Sequence, residues 1–214
     1  MKQYFFFSIL FLSLLSSEQK VHLKVEEIGS PGRKEIKVNK INNEFKLLNA
    51  NDDVSEYELV ANKNLSVKIF QYGGDAADVI KIGKFKFTVA KSINPLIEKD
   101  FNPRYLSTSM METYNLFYKR KKYLIIIAKS SGAAGKAINY SLYQIFDITS
   151  SKEIKYYPAT SYFGNIKNIT DLDKDGNLDF LKVKEKKDNV YEMKSFEICT
   201  GTPKNIQGRV DILF

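Results

Sequence analysis

Ten short stretches rich in β-branched and aromatic residues, several of them alternating with polar ones, recur along the 214 residues, and helical periodicity is scarce. They lie at 21–27, 33–39, 57–62, 66–72, 84–90, 122–129, 140–148, 153–157, 178–185 and 190–198. Such residues suit a pleated, half-buried surface, and alternation puts one side of each segment toward a core. Turn formers separate them: Gly29 to Gly32 around Pro31, Gly73-Gly74-Asp75, and Gly132 to Gly135. Many short strands at this spacing predict an all-β fold, an antiparallel meander that is propeller-like or sandwich-like. Residues 92–106 (SINPLIEKDFNPRYL) are expected to hold a short helix or an ordered loop.

The first residues read differently. Lys2 precedes an apolar run from Tyr4 to Leu15, and Ser16-Ser17 lead into polar sequence at Glu18. That layout predicts a signal peptide over 1–17, followed by a single all-β domain over 18–214, exported to the periplasm or secreted. The run is too short to span a bilayer, and no later stretch approaches the ~20 apolar residues that a span requires. Loss of Lys2 with the signal would lower the net charge from +8 to +7. With Cys199 as the only cysteine, no intrachain disulfide can form, so the fold must stand on its core. Cys199 is expected to be a small buried residue, and His22, the only histidine, falls in a strand-like segment.

Three features carry less chemistry than they suggest. The basic run Lys119-Arg120-Lys121-Lys122 sits between two β-like segments, so it reads as a solvated hairpin turn rather than a nucleic-acid site. In SSGAAGK, Gly132 and Gly135 have two residues between them and Ala137 follows Lys136; a phosphate loop needs four residues and a Ser or Thr. The sequons at Asn64, Asn139 and Asn168 are short matches in an Asn-rich chain.

The stretch DLDKDGNLDF (171–180) is different, because it concentrates four acids in a cationic chain. Ca²⁺ takes about six to eight oxygen ligands, and a tight loop supplies them when carboxylates recur at alternate residues. Asp171, Asp173 and Asp175 stand at positions one, three and five, with Gly176 at the sharp turn. The Asn177 carbonyl falls at position seven and Asp179 at position nine. Without a cation these carboxylates would repel one another at close range. An EF-hand would need Glu at position twelve and flanking helices; here position twelve is Lys182 and the flanks are strand-like. The loop is therefore expected to close a β-hairpin around a structural Ca²⁺, with affinity of about 10⁻⁴–10⁻³ M, as in extracellular modules.

The stretch FGNIKNITDLDKDGNLDFLKV resembles the FG-GAP/VCBS-type calcium repeat, through Phe163-Gly164, the aspartates, Gly176 and the apolar pair Phe180-Leu181. The resemblance covers about twenty residues. It implies a loop that stiffens a β-propeller-like sheet with Ca²⁺ in a structural role, although this chain has one such loop rather than several. The C-terminal half is also similar, in strand order, to small exported propeller-like proteins that include inhibitors of lysozyme-like hydrolases.

Three functions follow as alternatives. The first is a non-enzymatic, calcium-binding module whose partner is a protein or glycan of the cell envelope. The second is an inhibitor or immunity protein for a peptidoglycan hydrolase, with Ser130–Lys136 as the plug; a basic lysozyme would be repelled by a chain of this charge. The third is a hydrolase, for which the candidate carboxylates are Glu26, Glu27, Asp52 and Asp53. Glycosidase chemistry needs two carboxyl groups about 5–9.5 Å apart, one of them with a raised pKa.

Overall fold

The structure is a computed structural model that describes residues 22–25, 36–62, 65–73, 77–89, 96–97, 111–129, 140–162, 164–187, 190–204 and 210–213. The expected signal segment, the SSGAAGK loop, Glu26, Glu27, Asn64, Asn139 and Phe163 lie outside the described residues, as does most of 92–106. The strands run β1 (His22–Val25), β2 (Lys37–Ile41), β3 (Lys46–Ala50), β4 (Val54–Asn62), β5 (Leu65–Tyr72), β6 (Val79–Ile82) and β7 (Phe85–Thr88). Next come β8 (Met111–Tyr118), β9 (Lys121–Lys129), β10 (Tyr140–Asp147), β11 (Lys155–Tyr162) and β12 (Ile169–Thr170). The last are β13 (Asp179–Lys187), β14 (Val190–Glu197), β15 (Pro203–Lys204) and β16 (Val210–Leu213). A short 3₁₀ turn, Ile166–Asn168, precedes β12.

All pairings are antiparallel, as the sequence pattern predicts, and among the described residues no sheet closes into a barrel. The central sheet has the order β11-β10-β9-β8-β2. A second sheet, β3-β4-β5-β6-β7, covers one of its faces, and a third, β12-β13-β14-β15, covers the other. The two ends of the described chain pair as a separate ribbon, His22 opposite Leu213.

The reason for three layers is written in β9. In YLIIIA, Tyr123, Ile125 and Ile127 pack with Phe180, Phe196 and Ile198 toward the third sheet. Leu124, Ile126 and Ala128 pack with Leu59, Val67, Ile69 and Ile80 toward the second. A strand without polar alternation has no side to give to water, so both faces must be covered. Its neighbour β10 divides in the same way: Tyr143 and Ile145 face one core, Leu142 and Phe146 the other. By contrast β5 alternates, and only Val67 and Ile69 of its residues are buried.

Polar groups stitch the central and third sheets together at the β11 edge. The Ser161 hydroxyl accepts from the Val183 amide at 3.0 Å and from the Asn168 side chain at 3.0 Å. Asn168 also donates to the Leu181 carbonyl at 3.0 Å. The sequon asparagine is thus buried and bonded, which removes it as an acceptor of a glycan in the folded chain.

Gly164 lies close against the central sheet. A Cβ there would lie 2.1 Å from the Ser141 hydroxyl and 2.2 Å from its Cβ, overlaps that only backbone movement relieves. Gly164→Ala is therefore expected to cost about 1–3 kcal/mol, as overpacking of a close contact does. Denaturant midpoints of the two proteins at equal slope check this, and an unchanged midpoint would show that the segment yields freely.

Candidate metal centre

The aspartate loop closes an antiparallel hairpin, with Thr170 opposite Asp179 and Ile169 opposite Phe180. Its course is set by short-range hydrogen bonds. Asp173 Oδ1 accepts from the Asp175 amide at 3.2 Å, and Asp175 Oδ1 from the Asn177 amide at 2.7 Å. Asp and Asn side chains favour such turns. The backbone takes positive φ at Lys174 (63°) and Gly176 (95°), and only the second of these is a residue that adopts it without penalty.

Asp171 and Asp179 are buried at the base of the loop. Asp171 Oδ2 accepts from the Tyr118 hydroxyl and from the Gly176 amide, the latter at 3.1 Å. Asp179 Oδ2 accepts from the Leu172 amide at 2.7 Å. Each carboxylate thus spends one oxygen on the protein. The other oxygen, Oδ1 in both cases, is buried with no hydrogen-bond partner. Such orphans are costly, since a buried carboxylate oxygen without a donor has lost its water and gained nothing.

One carboxylate oxygen from each of Asp171, Asp173 and Asp179 lies within 4.8 Å of the others. Ligands of one Ca²⁺ at about 2.3–2.6 Å lie at most about 5 Å apart, so the cluster has the dimensions of a single coordination sphere. The donors are all hard oxygens, which suits Ca²⁺, Mg²⁺ or Mn²⁺ and not a soft-ligand metal. The residues present therefore fit an alkaline-earth ion. Of the five expected ligands, the structure brings these three together. Asp175 is exposed at the rim, and Asn177 enters through its amide, which donates to Asp175.

Charges from distant strands converge on the same loop. Lys204 on β15 places its ammonium 3.0 Å from Asp173 Oδ2, against Asp175 Oδ2, and 3.5 Å from Glu197 Oε2. It holds the Asp175 carboxyl below the usual range, while Asp175 and Asp173 raise the Lys204 ammonium well above its own. Lys119, in the two-residue turn between β8 and β9, has its ammonium 2.1 Å from where a Cβ on Gly176 would stand. Of the basic run, Lys119 and Arg120 form the exposed turn, as expected, whereas Lys121 and Lys122 open β9 half-buried, and Lys119 reaches the acidic loop. Tyr118, Lys119, Glu197 and Lys204 were not legible as site residues, because tens of residues separate them from the loop and no local pattern links them.

Burial pushes the Asp179 carboxyl up to about 7, helped by the charges of Asp173 and Asp171 and opposed by the Leu172 amide and Lys204. Two cationic side chains at the rim leave the buried pair at the base without enough positive charge nearby.

The remaining candidates are dispersed. Asp52 and Asp53 are exposed in the turn between β3 and β4. Cys199 is a free, half-buried thiol in the turn after β14. Among the described residues no helix is long and apolar enough to cross a membrane. Comparison with protein-family models, with curated proteins and with solved structures returns no match.

Proposed function

We propose that the chain is an exported, non-enzymatic binding module whose 171–179 hairpin holds a structural Ca²⁺. The single observation behind the metal is the pair of buried, unpartnered oxygens, Asp171 Oδ1 and Asp179 Oδ1, in a cluster of all-oxygen donors. Asp171, Asp173 and Asp179 would ligate the ion, with Asp175 and the Asn177 carbonyl as the further oxygens the loop can offer. The resemblance of the loop to the FG-GAP/VCBS-type repeat supports the same assignment. Export is supported by the residue pattern of 1–17, and the envelope is the setting in which millimolar Ca²⁺ would keep so weak a site filled.

The ion would neutralise charge at the base of the loop and fix the β12–β13 hairpin against the central sheet. Its role is stability rather than chemistry. Asp173 is the informative residue, because it is half-buried and contributes a ligand without anchoring the core. Asp173→Ala is expected to remove the rise in melting temperature that millimolar Ca²⁺ gives the wild type. A ligand at about one to ten times its Kd stabilises by roughly 0.4–1.4 kcal/mol. In a domain of this size that is a shift of about 1–6 °C. In chelator the two proteins should melt within a degree or two of each other. Equal loss with and without Ca²⁺ would reduce the loop to a plain turn, and calorimetric titration of stripped protein giving no heat would remove the ion altogether.

A further inference from the structure

The outer face of the second sheet carries a charge cluster of opposite sign to the aspartate loop. In the register of β5, β6 and β7, Lys68 stands directly opposite Lys81, and Lys81 directly opposite Lys86. Adjacent strands are about 4.8 Å apart, and like charges placed directly opposite destabilise a sheet. Lys68 is relieved by Glu56, whose Oε1 lies 2.7 Å from its ammonium. Among the described residues Lys81 and Lys86 have no acidic partner, and both are exposed. Lys84 extends the same charge at the β6–β7 turn, beside Gly83 at φ 56°.

Lys68, Lys81 and Lys84 border an open groove of about 1200 Å³ that also takes in Lys122 and the 148–151 turn; Lys86 stands outside it. Its lining combines Lys81, Lys84 and Lys122 with the Glu56-paired Lys68, the Phe85 ring and the hydroxyls of Thr149 and Ser150, while the Ser66 hydroxyl donates to Glu58 at 2.6 Å. The floor is held in place, since the Ile148 amide donates to the Lys122 carbonyl at 2.9 Å and the Lys122 amide to Thr149 Oγ1 at 2.9 Å.

We propose that this groove binds an anionic glycan, a sugar polymer carrying repeated carboxylate or phosphate groups. The assignment deepens the reading of the chain as a binding module and rests on that reading, but not on the metal. Lysines are point charges that suit successive anionic groups along a chain, and they need no fixed bidentate geometry. Hydroxyls suit the sugar's own hydroxyls, and a single ring suits an apolar sugar face. Single-stranded nucleic acid would call for several aromatic platforms, whereas among the described residues Phe85 is the only ring in the lining. A bilayer surface is flat and does not enter a groove.

The test is binding of the intact chain, in chelator, to polygalacturonate, a phosphate-bearing sugar polymer, a neutral glucan, single-stranded DNA and vesicles containing anionic lipid. At least one of the two anionic glycans should bind, with affinity that falls as salt rises past about 0.15 M, and the glucan should not. Lys81→Glu combined with Lys84→Glu should weaken that binding at least tenfold. Lys81→Glu alone replaces the middle of three abreast cations, so its melting temperature should equal or exceed the wild type's, which separates lost binding from lost folding. No binding to either anionic glycan, binding indifferent to the two substitutions, or tighter binding to DNA or vesicles would overturn the proposal. Because chelator is present throughout, these outcomes are independent of whether calorimetry finds a calcium site.

Discussion

Asp179→Asn is expected to act in opposite directions with and without calcium. Asp179 is fully buried, one of its oxygens has no partner, and burial with the nearby Asp173 and Asp171 raises its carboxyl to about 7. In the metal-free chain the folded state therefore holds a proton that the unfolded chain has already released above the ordinary carboxylate range. Stability falls as pH rises through the interval between that range and about 7, and stays low above it. Asparagine keeps an acceptor for the Leu172 amide and removes the buried charge. At pH 8 in chelator the variant should be more stable than the wild type, by on the order of 2 kcal/mol, less than the full shift because its amide nitrogen then lacks an acceptor. In millimolar Ca²⁺ it should be the less stable of the two, having lost a charged ligand. Melting curves of both proteins at pH 5 and pH 8, with and without Ca²⁺, decide it. The same sign of change in all four conditions would mean that Asp179 serves the hairpin alone.

The largest loss of stability should come from the middle of β9. Ile125→Ala and Ile126→Ala each remove a side chain with no exposed surface, but into different cores: Ile125 packs toward the third sheet and Ile126 toward the second. Truncating a buried isoleucine costs about 2–5 kcal/mol through lost transfer energy and the cavity left behind. Adjacent residues on a strand ordinarily differ, one buried and one wet, so two costs of this size in succession are a signature of a sheet covered on both sides. As a contrast, Leu47→Ala on edge strand β3, where Leu47 is 55% exposed, should change stability by no more than about 0.5 kcal/mol. Urea unfolding of the three variants is sufficient. A near-neutral Ile125→Ala or Ile126→Ala would take one covering sheet away.

Much of the strand content was legible because side-chain pattern and strand period are the same thing at short range. KYLIIIAK and YSLYQIFDI became β9 and β10, nearly to the residue. Other strands left weaker marks. β3 (KLLNA) carries two leucines that both remain exposed, so no alternation betrays it. β6 (VIKI) is four residues long, too short for a period to show. β12 and β15, of two residues each, exist only through their neighbours: Ile169 through its pairing with Phe180, and Lys204 through its pairing with Ser195.

The acidic loop divides along the same line. Its turn, its glycine and the convergence of Asp171, Asp173 and Asp179 belong to nine consecutive residues, and local backbone chemistry suffices to fold them. That Asp171 and Asp179 would be buried while Asp175 stays exposed was not in those nine residues, since burial is conferred by whatever packs above. The Tyr118 hydroxyl on Asp171, the Lys119 ammonium beside Gly176 and the Lys204 bridge arrive from 29 or more residues away. The lysine row across β5, β6 and β7 is likewise invisible until strand register sets Lys68, Lys81 and Lys86 abreast.

By itself, then, the amino-acid order determined strand from helix and the site of the acidic hairpin, both properties of neighbours along the chain, and its single cysteine left no intrachain disulfide. The tertiary structure alone decided which carboxylates lose water, which cations answer them and which lysines are left to repel. Those outcomes depend on distance through space, and electrostatic energy and desolvation follow spatial separation and burial, not position in sequence.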